Sequence, residues 1–185
     1  PFAIAWEKAN IESIIVQWYA GEQEGNAIAD ILFGKVNPSG HLTVSFPQSA
    51  GHLPAYYNYL PSDRGFYHKH GSDTSPGRDY VFSSPDALWS FGHGMSYTTY
   101  AYSNMRVDAQ ADSVKVYVDV ANTGNVAGKA VPQLYVRDMY SSVATPVKQL
   151  KAFNKVYLQP GERARVALHF AVADLAFTDE KGDSR

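Results

Sequence analysis

The stretch Val114-Lys115-Val116-Tyr117-Val118-Asp119-Val120 alternates apolar and polar side chains without a slip. Successive residues of a strand point to opposite faces, so a period of two makes one face apolar and the other wet, a pattern no helix satisfies. Similar runs surround it: an opening strand at 103–107, then 131–136, 150–158 and 164–170. Asn122-Thr123-Gly124-Asn125 and Gln159-Pro160-Gly161-Glu162, made of turn-forming residues, separate them. Strands of this length and spacing predict a Greek-key sandwich. The runs number about five where about seven are usual, which predicts two further strands beyond Arg185. The polar Asp179-Glu180-Lys181-Gly182-Asp183 fits a turn between strands.

The first half of the chain has a different texture. Residues 13–19 (Ser-Ile-Ile-Val-Gln-Trp-Tyr) are β-branched and aromatic and stop at Ala20-Gly21, which predicts a buried strand. From Asn26 onward, Ile28, Ile31 and Leu32 recur at helical spacing, with Gly34 placed to cap the helix. Strand, glycine-bearing loop and helix make half of a βαβ unit. Such a unit needs parallel partner strands, and the short segment before Ser13 cannot supply them, so the expectation is that the rest of the sheet lies outside this sequence. The predicted fold class is therefore mixed: a partial α/β segment with a parallel sheet, followed by an all-β sandwich lacking its last strands.

Asn37-Pro38-Ser39-Gly40 predicts a turn, and the alternating residues 41–46 a short strand ended by Pro47. From 48 to about 88 the pattern dissolves into Gly, Pro, Ser, Asp and tyrosines. A connection this long in a compact chain is functional or a linker. Tyr56, Tyr57, Tyr59, Phe66, Tyr67 and Tyr80 give it apolar surface, which favours a linker packed on its neighbours. The expected boundaries are 1–47 for the α/β part, 48–98 for the linker and 99–185 for the sandwich.

Charge narrows the partners. The 185 residues carry 16 Lys and Arg and 18 Asp and Glu, a formal net charge of −2, spread along the sequence with no polybasic stripe. Neither nucleic acid nor an anionic membrane surface is expected as a partner, and no apolar run approaches the roughly 20 residues of a membrane span. With no cysteine there are no disulfides, thiolate nucleophiles or cysteine-bound metals, though the compartment stays open. Aromatic residues make up 14%, with 13 tyrosines. Such side chains suit sugar-binding surfaces, but they fill sandwich cores and interfaces more often.

Several residues invite a chemical reading. Glu22 and Glu24 follow the predicted strand, where ligands gather in parallel sheets, yet acidic residues just before a helix are also favoured by its dipole and free N–H groups. His68 and His70, with His52 and His93, suggest a metal site, but two histidines one residue apart point to opposite faces of an extended chain, and solvated loop histidines are the favoured reading. Ser39 and Ser96 lack the Gly-x-Ser-x-Gly elbow and read as turn residues. Gly92 and Gly94 have no following lysine or helix start for a phosphate cradle and read as a close-packed crossing. Arg78 and Asp79 beside Tyr80 read as a surface ion pair. No metal or cofactor is expected.

Taken in order, the segments resemble the C-terminal part of glycoside hydrolase family three. The resemblance rests on Trp18-Tyr19-Ala20-Gly21-Glu22-Gln23-Glu24-Gly25, Ala27-Ile28-Ala29-Asp30-Ile31-Leu32-Phe33-Gly34, and Asn37-Pro38-Ser39-Gly40-His41-Leu42 through Phe46-Pro47. It continues in Phe91-Gly92-His93-Gly94-Met95-Ser96-Tyr97-Thr98, Asn122-Thr123-Gly124 with Gly128, Leu150-Lys151-Ala152-Phe153, Leu158-Gln159-Pro160-Gly161-Glu162 and Asp174-Leu175-Ala176-Phe177. Ala20, Asn26, His93 and Met95 depart from the family pattern of proline, glycine, tyrosine and leucine, which bears on fine loop geometry.

The resemblance implies a parent protein that is a retaining β-glycosidase, β-glucosidase- or β-xylosidase-like, with a fibronectin type III-like last domain and both catalytic carboxylates upstream of Pro1. Retaining cleavage needs two carboxyl groups roughly 5 to 5.5 Å apart, so this chain is expected to hold no catalytic residue and to be inactive alone. Its expected role is a scaffold partnered with the upstream catalytic domains, with carbohydrate as the parent's substrate and Glu22 and Gln23 on the active-site rim. A periplasmic or secreted location is expected. Uncovered faces and edges predict self-association. The alternative is an independent carbohydrate-binding or structural module, with Tyr56 and Tyr57 as its aromatic contacts.

Overall fold

A computed structural model describes residues 2–60 and 86–184. The chain divides into two compact units, one of Pro1–Lys35 and His41–Gly94, the other of Val36–Gly40 and Met95–Arg185. Strands dominate the second unit, and helices are few and short.

In the second unit the alternation does what it predicts. β1 (Tyr100–Ala109), β2 (Ser113–Asn122) and β7 (Arg163–Ala171) form one antiparallel sheet in the order β1-β2-β7. Val116 and Val120 of β2 and Val166, Leu168 and Phe170 of β7 turn one way and are buried. Against them packs a second layer of two short ribbons, β3 (Gly128–Ala130) with β6 (Val156–Leu158) and β4 (Gln133–Val136) with β5 (Gln149–Phe153). Val120, Ala130, Leu158, Val166 and Leu168 form the shared core, flanked by Tyr100, Val118, Leu134, Ala152, Val156 and Ala164. Transfer of these side chains from water is the main stabilising term, at about 1.5–3 kcal/mol for each fully buried large one.

The strand count is corrected. Seven strands, not five, stand among the described residues. The run 131–136 is broken because Pro132 has no N–H to donate, and its carbonyl instead accepts from Asn154 N at 3.2 Å. That bond marks the matching break at Asn154-Lys155 within 150–158, so each of these two expected runs is divided between two ribbons.

A polar knot closes the end of this unit. Asn122 is buried, with Oδ1 accepting from Thr98 Oγ1 at 2.6 Å and Gly124 N at 3.1 Å, and Nδ2 donating to the Val126 and Leu158 carbonyls at 2.8 and 3.1 Å. Beside it, Asn37 Oδ1 accepts from Ser96 Oγ and Tyr97 N, both at 2.9 Å, while its Nδ2 donates to Ala127 O at 3.0 Å. Gly128 is required by this crowding: a Cβ there would lie 2.4 Å from Tyr100 Oη and 2.5 Å from Asn37 Nδ2. At Asp179 the expected turn forms, its Oδ1 accepting from Lys181 N and Asp183 N, and Thr178 bridges Ser184 in antiparallel fashion.

The first unit holds α1 (Ala5–Asn10), which the sequence patterning did not anticipate, and α2 (Glu24–Leu32), which it did. Phe33 is the C-cap and Gly34 follows at φ 73°, where a side chain would be strained. Two expected strands are corrected. Residues 13–19 form no strand and pair with none among the described residues, and their apolar side chains lie in solvent. Residues 41–46 form no strand. They run as an irregular antiparallel ribbon, with Leu42 N donating to His93 O, Gly92 N to Leu42 O, Phe46 N to Trp89 O and Leu88 N to Phe46 O. Every strand pairing among the described residues is antiparallel.

Candidate functional site

The loop ahead of α2 is the one the sequence singles out. Trp18 at φ 54° and Gly21 at φ 78° turn the backbone, and Glu24 N donates to Gly21 O at 3.2 Å to start the helix. The Gln17 amide donates to Glu24 Oε1, and Asn26 Nδ2 donates to Gln23 Oε1 at 2.7 Å. Glu22 is exposed, and its carboxylate takes no hydrogen bond among the described residues. The geometry therefore separates the two glutamates: Glu24 braces the loop, whereas Glu22 is presented to solvent.

Of the four histidines the sequence singles out, His52 and His93 are described. His52 is buried, with Nδ1 accepting from Gln48 N at 3.2 Å. Burial first, then the charges of Lys8 and His41, holds the His93 imidazole below its ordinary value of 6.5. His68 and His70 lie outside the described residues, as do Arg78, Asp79, Tyr80, Phe66 and Tyr67. No group of three metal-binding side chains forms among the described residues. Ser96 is a structural hydroxyl on Asn37, and Gly92 spends its N–H on Leu42, so neither the serine nor the glycine stretch builds a reactive site.

The aromatic segment is partly committed. Tyr57 stacks on Phe91 at 4.0 Å and Phe46 meets Trp89 edge-on at 6.0 Å, while Lys8 Nζ lies 5.1 Å from the Trp89 ring and donates to Leu88 O. Tyr56 is exposed.

A charged constellation escaped the sequence reading because its members are far apart in the chain. Arg165 Nε and Nη2 reach the two Asp119 oxygens at 2.7 and 3.2 Å, and Asn104, at φ 53° in a bulge of β1, donates to Oδ2 at 2.8 Å. These bonds, the Arg165 one foremost, hold the Asp119 carboxyl at about 2. Only the polar positions of the 114–120 alternation hinted at it.

Residues 1–97 match the glycosyl hydrolase family 3 C-terminal domain, and residues 130–185 match a fibronectin type III-like domain. The chain belongs to glycosyl hydrolase family 3. Among family members it is 40% identical to a periplasmic β-glucosidase of Salmonella typhimurium, covering 98% of this chain and 24% of that protein. It is 39% identical to a β-xylosidase of Formosa agariphila, again with 95% of this chain and 24% of the relative. A β-glucosidase structure from Erythrobacter marinus superposes with TM-score 0.81 at 38% identity, covering 99% of this chain and 23% of that one. A Listeria innocua β-glucosidase in complex with isofagomine gives 0.81 at 33% identity, over 91% and 24%. The chain thus spans about a quarter of the length of the family 3 relatives it matches.

Proposed function

We propose that this chain is the C-terminal part of a retaining β-glycosidase that removes terminal sugars from oligosaccharides or glycosides, and that it serves that enzyme as a scaffold. The observation that carries this is the order of two domain matches along one chain, nearly all of which aligns with relatives named β-glucosidase and β-xylosidase. The chemistry belongs to carboxylates on upstream domains of the parent, the chain's principal partners. The test is hydrolysis of aryl β-glucosides and β-xylosides. The 185-residue chain should show no turnover and an upstream-extended protein should show it; turnover by the short chain, abolished by Glu22→Gln, would overturn the assignment.

Three finer readings belong to the same proposal. Residues 13–19 take a place in a parallel sheet whose other strands lie outside this sequence. Ile14, Ile15 and Val16 are exposed in succession, so both faces of the segment await cover, as in a parallel strand flanked by helices. The sandwich accepts further strands: Tyr102 and Val107 of β1 sit opposite buried Val120 and Val116, facing inward, yet are 51% and 55% exposed. Glu22 and Gln23 stand on the active-site rim of the parent, supported by the outward-facing Glu22 carboxylate. The domain boundaries are 1–47, 48–98 and 99–185. A periplasmic or secreted location is supported by the Salmonella relative's description. The carbohydrate-module reading is weakened by the stacking of Tyr57 on Phe91, which leaves one face of that ring occupied.

A further inference from the structure

The cations of this chain form no stripe in sequence, but strand register collects several on one surface. Directly opposed residues of an antiparallel sheet share a face, and the outward face of β1-β2-β7 can be read row by row. Asp108, Lys115 and His169 form one row, Arg106, Tyr117 and Ala167 the next, then Ser103, Asp119 and Arg165, and finally Ala121 with Arg163. Four of these side chains are arginine or lysine and two are aspartate, on a chain whose formal net charge is −2. The positive sign is local to this face.

Asp119 is buried and held from two sides by Arg165 and Asn104, so its charge is spent within the sheet. Arg106, Lys115, Arg163 and His169 make no ion pair with the described residues, although Asp108 stands opposite Lys115 and the charge of Arg163 also acts on Asp119, so the face keeps a positive excess smaller than its number of cations. Tyr117 lies among them, half-buried, with a ring able to meet the apolar side of a pyranose. Neighbouring strands are about 4.8 Å apart and alternate residues on a strand about 6.6 Å, so the cations form a grid on the scale of successive charged sugars.

We propose that this outward sheet face, with Arg106, Lys115 and Arg163 around Tyr117, binds an acidic polysaccharide of the polyuronate kind. The choice of a glycan over another polyanion rests on the glycosidase reading above. The surface would hold the enzyme on a charged glycan, through a sheet that takes no part in the chemistry.

The experiment is affinity electrophoresis and calorimetry of the full chain with polygalacturonate, with a neutral mixed-linkage β-glucan and with double-stranded DNA, over a range of salt. Polygalacturonate should bind and weaken with salt. Combined Arg106→Ala, Lys115→Ala and Arg163→Ala should cost about ten-fold or more and lower the log–log salt slope by roughly two. Combined Lys129→Ala, Lys155→Ala and Lys181→Ala removes the same charge elsewhere and should leave binding near its starting value. Circular dichroism checks that both variants fold. No binding by the parent chain, equal losses in both variants, or DNA competing as well as polygalacturonate would each overturn the proposal. Aryl-glucoside hydrolysis by the upstream-extended protein reports separately on the glycosidase reading.

Discussion

Asn122 and Asp119 sit on the same strand and stabilise it by different means. Asn122 offers two donors and an acceptor oxygen to four protein groups in a dry site, so its removal strands partners that water cannot reach. Asn122→Ala should cost about 3 kcal/mol of unfolding free energy, read from urea denaturation, whereas exposed Thr123→Ala should change it by less than about 0.5 kcal/mol. Asp119 makes stability depend on pH. Its folded carboxyl titrates at about 2 against an ordinary 3.8, so the stabilisation is fully present above pH 4 and is lost as pH falls through that interval. The urea midpoint of the natural chain should exceed that of Asp119→Asn near neutrality, and the gap should close as pH drops from about 4 to about 2. A gap unchanged at the acid end would refute the assignment.

Among the elements, those legible in sequence owe their form to their own residues. β2 and β7 follow from alternation, and α2 from the spacing of Ile28, Ile31 and Leu32. What was missed depends on distant chain. Pro132 reads as an ordinary strand-end residue until its carbonyl is seen to meet Asn154, and residues 41–46 fail as a strand because residues 88–93 meet them at irregular intervals. The site was legible only in part for the same reason: only Gln23 separates Glu22 from Glu24 in sequence, but nothing local says that Gln17 engages one of them. The uncovered inward side of β1 carries a prediction at this scale. Tyr102 and Val107 expose apolar surface beside a strand edge that pairs with no strand among the described residues, a combination that invites pairing between copies. Sedimentation at micromolar concentration should show dimers or larger species, and combined Tyr102→Glu and Val107→Lys should return the chain to monomer. A natural chain that stays monomeric would end this expectation.

At the scale of the molecule, apolar burial is divided unequally between the two units. The shared core of Val120, Ala130, Leu158, Val166 and Leu168 lies wholly in the second unit, whereas the buried apolar residues described in the first are Phe46, Pro47 and Leu88. Opening free energy follows buried contacts and protected hydrogen bonds, so the units should differ in local stability. Hydrogen exchange should find the slowest amides in β2, which lies between two ladders and lines the core, and in the part of β7 bonded to it, with fast exchange across α1 and residues 13–19. Limited proteolysis should correspondingly cut within the first unit first, and the resistant material should keep residues 36–40 together with the part from Met95 onward. The first unit has a reason to be weak in this chain under the scaffold reading: residues 13–19 and its helices present apolar side chains that the parent's neighbouring layers would cover. An upstream-extended protein should therefore slow exchange in residues 13–19 while leaving β2 and β7 as they are. Equal protection in both units of the short chain would mean that the first is self-sufficient, and the scaffold reading would lose its physical basis.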